Sequence, residues 1–117
     1  MRTAGAGAAI TGAGGTLLVI DDALKNWEEA CSHTRRQSLR DWFESTLYTR
    51  REPGATIVVN MNRWHEDDLS GWLLREHTDD WTHVCLPGLA EENDPLGRLP
   101  GEALCPERFP ADELRKT

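Results

Sequence analysis

The sequence predicts an α/β fold built on a mostly parallel sheet. Residues 17–20 and 55–59 are unbroken apolar runs, which are typical of strands that are buried on both faces. A long segment with helical character separates the two runs, and a parallel crossover needs about a dozen residues or more and usually a helix. We therefore expect strands at 16–21, 55–61 and 81–86 in one sheet, joined by right-handed crossovers.

The segment after the first strand predicts a helix. Asn26, followed by Glu28 and Glu29, is a suitable N-cap with acidic residues in the first turn. From there to about Arg50 nothing breaks a helix. The spacing i, i+3, i+4, i+7, i+8 predicts one buried stripe, formed by Leu39, Trp42, Phe43, Thr46 and Leu47.

The remaining elements follow from turn signals and charge. Pro53-Gly54 predicts a turn before the second strand. A second helix is expected to begin near Glu66, because the acidic residues there would face its positive end. Residues 87–110 hold five of the six prolines and predict an irregular segment, and a short helix is expected from Ala111. The predicted organisation is a partial domain at 1–86 and a proline-rich segment at 87–117.

Composition narrows the class of protein. The chain has 13 basic and 20 acidic residues, which argues against a free-standing nucleic-acid-binding protein because such proteins are normally basic. The widely spaced Cys31, Cys85 and Cys105 fit neither a zinc site nor a disulfide framework, so reduced thiols in a cytoplasm are the simpler account. No apolar run approaches the ~20 residues of a membrane span.

Asp21 and Asp22 come directly after the first apolar run. In α/β proteins, ligands bind outside the carboxyl ends of parallel strands. One carboxylate there can hold Mg²⁺, largely through retained waters, and a second can orient an attacking water. This is the layout of a Walker B element; an Asp that merely caps the strand is the alternative. A metal-dependent hydrolase that adds His65 to the Asp pair is less favoured, because no third ligand is suggested.

A longer series of short motifs resembles one family. In chain order the motifs are Ile10-Thr11-Gly12, Leu17-Leu18-Val19-Ile20-Asp21-Asp22, Lys25-Asn26, Glu28-Glu29-Ala30, Trp42, Ser45-Thr46-Leu47-Tyr48-Thr49-Arg50, Glu52-Pro53-Gly54, Arg63-Trp64-His65-Glu66-Asp67-Asp68-Leu69, Leu86-Pro87, Asp94-Pro95-Leu96-Gly97 and Pro106-Glu107-Arg108-Phe109. Together they resemble the ATPase domain of the large subunit of tailed-phage terminases, the motor that packages viral DNA into proheads. The resemblance implies an incomplete P-loop NTPase-like (ASCE) three-layer sandwich.

The resemblance also implies roles for individual residues. Asp21 would be the Walker B aspartate that positions Mg²⁺ with ATP, and Asp22 would activate the attacking water. Asn62 would end a coupling motif, Asn60-Met61-Asn62, that reports hydrolysis to the rest of the motor. Arg63 would face phosphate or a neighbouring subunit, although a salt bridge to Asp67 or Glu66 is an equal alternative. Trp64 would pack rather than take part in chemistry.

Three positions depart from the family pattern. The family commonly has Glu where this chain has Asp22, Thr where it has Asn62, and Arg where it has Ala13. An aspartate at this position reaches one methylene less far toward the attacking water than the glutamate of the family. An amide still donates and accepts hydrogen bonds, so the sensing role assigned to Asn62 remains chemically feasible.

A P-loop needs a lysine that follows glycine and reaches the β- and γ-phosphates. The two lysines of this chain, Lys25 and Lys116, follow leucine and arginine instead. We therefore expect the Walker B and coupling half of an ATPase domain, without the family's nuclease domain and inactive as an enzyme by itself. The alternative is a non-catalytic prophage remnant or small interaction protein.

The resemblance implies partners and a location as well. In the intact family the ligands are ATP and Mg²⁺, which this chain by itself is not expected to bind tightly. The partners of the family are double-stranded DNA, the portal protein and the small terminase subunit. No membrane is expected, and the location would be the cytoplasm of a bacterial host. A sheet edge left without a neighbouring strand could also support oligomers.

Overall fold

A computed structural model describes Thr3, Gly5 and residues 14–117. The Ile10-Thr11-Gly12 motif and Ala13 lie outside the described residues. The chain divides into two compact units, Met1–Trp81 and Thr82–Thr117. In chain order the elements are β1 Gly15–Asp21, α1 Trp27–Cys31, α2 His33–Trp42, a π-helical turn Phe43–Leu47, a 3₁₀ turn Tyr48–Arg50, β2 Arg51–Asn60, α3 Leu69–Glu76, a 3₁₀ turn Thr78–Asp80 and α4 Ala111–Leu114.

The two strands pair in parallel, as predicted. Leu17 lies opposite Thr56, and the register continues without interruption to Asp21 opposite Asn60. The chain between them runs through α1 and α2, which is the crossover that a parallel pair requires. The protein is therefore a small α/β fold with a parallel sheet.

The sheet has one covered face in the described part of the chain. Successive side chains of a strand point to opposite faces. Leu18 and Ile20 of β1, with Ile57 and Val59 of β2, pack into the core. On the other face, three aliphatic side chains remain largely exposed: Leu17 at 60%, Val19 at 57% and Val58 at 43%. The expectation of strands buried on both faces is therefore wrong for the described residues, because the described helices cover one side.

Pro53-Gly54 lies inside β2 rather than before it. Gly15 pairs with Arg51 and Leu17 pairs with Thr56, so residues 52–55 form an irregularity opposite the single residue Thr16. Gly54 has φ +79°, a left-handed conformation that favours glycine. The turn predicted from the sequence is thus a bulge within a longer strand.

The predicted long helix at 26–50 is interrupted. Asn26 caps α1 as expected, its side chain accepting from the Glu29 N–H at 2.9 Å. Ser32 then ends α1, donating its N–H to the Glu29 carbonyl, and caps α2 by accepting from the Arg35 N–H. Serine competes for backbone hydrogen bonds in this way, so one helix becomes two.

The second predicted helix begins three residues later than expected. Asp68 is the N-cap of α3, and its carboxylate accepts from the Gly71 N–H at 2.9 Å. Glu66 and Asp67 precede the helix instead of forming its first turn. The apolar residues of α3 belong to the hydrophobic core of the first unit. The buried side chains of this core are Ile20, Leu24, Ala30, Leu39, Phe43, Leu69 and Leu73.

The predicted third strand at 81–86 is wrong. Residues 81–86 have no regular secondary structure, and residues 82–86 are exposed. Trp81 alone packs against the core, with its ring centroid 6.2 Å from that of Phe43. An apolar run becomes a strand only where a neighbouring strand offers its edge, and the run itself does not specify that neighbour.

The second unit contains a largely buried ion pair and a short bridge. Asp94 and Arg98 are 2.6 Å apart with little solvent exposure, and Arg98 holds the pKa of Asp94 below its usual range. Leu89 and Ala103 form an isolated antiparallel bridge. α4 begins at Ala111, as predicted. Among the described residues, no helix has the length and apolar character needed to cross a membrane.

Candidate functional site at the carboxyl edge of the sheet

Asp21 and Asn60 are directly opposite each other at the last paired position of the two strands. The Asn60 side-chain amide donates a hydrogen bond to Asp21 Oδ1, with a 2.9 Å Nδ2–Oδ1 distance. Both residues are exposed. The strand parity places this polar pair on the uncovered face, in line with Val19 and Val58. The carboxylate therefore faces solvent at the edge where parallel sheets bind ligands.

Asp22 extends this pairing by one residue. Its backbone N–H donates to the Asn60 carbonyl at 2.8 Å. Its φ of +48° is in the left-handed region, which Asp tolerates better than most residues. The regular strand conformation therefore ends at Asp22. Asn60 thus contacts Asp21 through its side chain and Asp22 through its backbone.

Asn62 and Arg63 lie beyond the end of β2. Asn62 is exposed and two residues past the position that pairs with Asp21, so Asn60, and not Asn62, is the partner of Asp21 across the sheet. Arg63 forms an ion pair with Asp68, 2.9 Å from Nε to Oδ2, and Nη2 also donates to the Glu66 carbonyl. The predicted alternative, a structural salt bridge of Arg63, is therefore present, but its partner is Asp68 and not Asp67 or Glu66.

Asp67 belongs to a separate network that joins α2 to α3. Its carboxylate lies 2.8 Å from Arg40 Nη2 and 2.6 Å from Arg75 Nη2, and Arg36 Nε is 3.8 Å away. Hydrogen bonds from Arg40 and Arg75 lower the pKa of Asp67 to about 2. Arg40 also donates to the Asp67 backbone carbonyl and lies over the Trp72 ring. This arrangement accounts for Asp67 as a structural residue.

His65 has a structural role in the loop before α3. Its Nδ1 accepts a hydrogen bond from the Asp67 N–H at 3.0 Å. In the part of the chain that the structure describes, no group of three or more His, Cys, Asp or Glu side chains is arranged to hold a metal ion. A hydrolase centre made of the Asp pair and His65 gains no support. Trp64 is partly exposed, at 37%.

The Asp pair nevertheless fits the requirements of Mg²⁺. This ion keeps several waters and is usually held by one or two carboxylates together with substrate phosphates. Asp21 presents an exposed carboxylate whose Oδ1 is oriented by Asn60, and Asp22 follows it directly. A site of this kind is completed by the bound nucleotide, so it does not require a third protein ligand.

The first unit also contains a cavity of about 600 Å³. Its lining mixes core residues with charged ones: Phe43, Glu44, Arg51, Ala55, Thr56, Ile57, Leu73, His77, Asp80 and Trp81. It adjoins the first half of β2, whereas the Asp pair lies at the end of β1. The cavity is therefore separate from the candidate magnesium site.

Comparison with known proteins adds no relative: no family model, no curated protein and no solved structure matches this chain.

Sequence reasoning missed Asn60 as the direct partner of Asp21. A signal for it was present: residues 57–59 and residues 18–20 are both apolar triplets, and each is followed at once by a polar residue, Asn60 or Asp21. Aligning the ends of these two runs gives the observed register. The family resemblance drew attention to Asn62 instead.

Proposed function

We propose that this chain is the Walker B and coupling part of a terminase large-subunit ATPase, which drives viral DNA into a prohead. The observation that carries the proposal is the parallel register that ends with Asp21 opposite Asn60, because it leaves two carboxylates and an amide at the ligand-binding edge of the sheet. The choice of family rests on the resemblance of the ordered sequence motifs. The geometry of Asp21, Asp22 and Asn60 supports the role proposed for the site.

In this proposal the residues have distinct tasks. Asp21 holds Mg²⁺ through its exposed carboxylate, and Asp22 accepts a hydrogen bond from the attacking water and orients it. Bound Mg²⁺ would neutralise charge on the ATP phosphates. Asn62, exposed two residues beyond β2, is available to contact the γ-phosphate or the water. Arg63 is paired with Asp68, which favours a structural role for it over a phosphate contact.

The nucleotide cradle must come from residues outside this sequence, because neither Lys25 nor Lys116 follows a glycine. In the proposed motor the segment works with ATP and Mg²⁺, and its partners are double-stranded DNA, the portal protein and the small terminase subunit. The exposed apolar residues Leu17, Val19 and Val58 are consistent with a sheet that needs a further layer.

The test is a fusion that places the Walker A half of a terminase large-subunit ATPase before residues 1–117. We expect ATP hydrolysis that Asp21→Ala abolishes. The control is Asp79→Ala, which removes an exposed acidic side chain from the 3₁₀ turn Thr78–Asp80 and should leave hydrolysis unchanged. A folded fusion that binds ATP without hydrolysing it, or hydrolysis that survives Asp21→Ala, contradicts the proposal.

The second candidate is a non-catalytic interaction protein. The observation that favours it is the exposed aliphatic side chains on one sheet face, since such patches mark interaction sites. In this case Asp21→Ala would have no effect on any activity of the fusion, whereas Val19→Thr would change association. The same fusion therefore distinguishes the two candidates.

A further inference from the structure

We propose that Asn60 is a positioning residue for the Asp21–Asp22 pair, and that its side-chain amide increases the affinity of this pair for a divalent cation. This inference rests on the proposed function, since it concerns the same site. It assigns to Asn60 a task different from phosphate sensing, which the family resemblance implies for Asn62.

The first step of the argument is the hydrogen bond itself. The Asn60 Nδ2–H donates to Asp21 Oδ1 at 2.9 Å, so one carboxylate oxygen is engaged and the plane of the carboxylate is oriented. Hydrogen bonds of this kind to a ligating carboxylate typically change metal affinity by about 10–100-fold when they are removed. The Asn side chain has a short reach, and the register places Asp21 directly across from it.

The second step is the backbone contact to Asp22. The Asn60 carbonyl accepts the Asp22 N–H at 2.8 Å, and Asp22 has a positive φ of 48°. A non-glycine residue in this region needs support from its surroundings. A substitution of the Asn60 side chain leaves this backbone bond in place. The side-chain contribution can therefore be measured separately from the turn at Asp22.

The experiment uses the full chain and Mn²⁺ ions alone as the probe. Paramagnetic broadening of backbone amide signals in nuclear magnetic resonance spectra locates the bound ion, and a titration gives its affinity. The variants are Asn60→Leu, which removes the amide at similar size, and Asp21→Asn, which removes the charge. Thr56→Leu is the matched control, because Thr56 is a polar residue on the same face of the same strand.

We expect broadening centred on Asp21 and Asp22, its loss in Asp21→Asn, and an affinity about tenfold lower in Asn60→Leu. In the Asp21→Asn variant the Asn60 side-chain amide signals should also shift relative to those of the wild type, because the acceptor of their hydrogen bond is changed. Thr56→Leu should bind Mn²⁺ as the wild type does. Unfolding by urea, measured for each variant, separates a change in affinity from a loss of folded protein.

The outcomes distinguish the inference from the function on which it rests. If Asp21→Asn abolishes binding and Asn60→Leu leaves the affinity within twofold, the positioning role is wrong and the proposed magnesium site stands. If Thr56→Leu weakens Mn²⁺ binding as much as Asn60→Leu, the loss of affinity comes from a general change in the sheet and not from the Asn60 amide, and the inference is wrong. If Asp21→Asn leaves the broadening unchanged, the metal site is elsewhere and the proposed function fails.

Discussion

Arg63 forms an ion pair with Asp68, whose side chain is completely buried at the N-cap of α3. One carboxylate therefore does two things: Oδ2 accepts from Arg63 and Oδ1 accepts from the Gly71 N–H. The charge of Arg63 compensates the buried Asp68 carboxylate. This explains why Arg63 contacts the beginning of α3. The pair links the end of β2 to the beginning of the helix.

Removing Arg63 should destabilise the protein. Arg63→Ala leaves the buried Asp68 carboxylate without its cation, and we expect a loss of about 2–3 kcal/mol in the free energy of unfolding, toward the low end for a broken buried pair because Arg63 is itself partly exposed. Urea unfolding followed by tryptophan fluorescence measures it. In an Asp68→Asn background, which keeps a capping oxygen, the cost of Arg63→Ala should fall to well under half; equal costs in both backgrounds would contradict the pairing.

The contribution of Asp67 to stability should depend on pH. Its folded-state pKa is lowered to about 2 from 3.8 by hydrogen bonds from Arg40 and Arg75. A lowered pKa means that the stabilisation is fully present above the unfolded-state value and is lost as the pH falls toward 2. The difference in unfolding midpoint between wild type and Asp67→Asn should therefore be constant above pH 5 and shrink between pH 4 and 2.

The control for this prediction removes one of the two arginines. In an Arg75→Leu background, Asp67 loses one of its hydrogen bonds, so the pH-dependent part of the difference should become smaller. The prediction fails if the difference between wild type and Asp67→Asn is the same at pH 3 and at pH 6. It also fails if Arg75→Leu leaves that pH dependence unchanged.

Gly71 should be intolerant of a side chain. A Cβ at this position would collide with the Glu66 carbonyl oxygen and would lie 2.9 Å from Arg63 Nη2. Alanine favours a helix over glycine by about 1 kcal/mol, but the clash involves backbone and also disturbs the Arg63–Asp68 pair. We expect Gly71→Ala to lower the free energy of unfolding by about 1–3 kcal/mol. Gly88→Ala, whose Cβ would meet Leu114 at an ordinary 3.8 Å, is the control and should be nearly neutral.

The isolated chain should not hydrolyse ATP. No lysine follows a glycine in this sequence, and the charge that holds the β- and γ-phosphates in such enzymes is therefore lacking. Steady-state phosphate release should remain at background with Mg²⁺ and ATP present. Release above background that Asp21→Ala abolishes would overturn this expectation, whereas release unaffected by Asp21→Ala would indicate a contaminant.

In an intact enzyme that carries this segment, Asn62 should affect turnover more than binding. Asn62 is exposed beyond the end of β2, where its amide is available to a γ-phosphate or a water, while most of the binding energy for ATP comes from the P-loop. Asn62→Ala should leave the Kd for ATP nearly unchanged and lower kcat and DNA movement together. An Asn62→Ala enzyme that packages DNA at the normal rate would contradict the coupling role.

The sequence alone determined the features that depend on short stretches of chain. The apolar runs predicted both strands, Asn26 predicted the first helix cap, and Ala111 marked the start of α4. The parallel pairing was predicted from the length of the segment that connects the two runs. A helix cap or a strand segment depends on residues within a few positions of one another, so local sequence patterns are sufficient to predict where it lies. The position of Asp21 at the end of β1, with Asp22 directly after it, follows from the same local reasoning.

Only the tertiary structure decided which distant residues meet. Residue 60 rather than residue 62 is opposite Asp21, because the apolar triplets at 18–20 and 57–59 pair with each other. Arg63 pairs with Asp68, not with Asp67 or Glu66, because Asp67 is held by arginines of two helices. The run at 81–86 stays out of the sheet, although its composition suits a strand. In each case the result depends on packing between elements far apart in the sequence, and a local pattern does not specify its own partner.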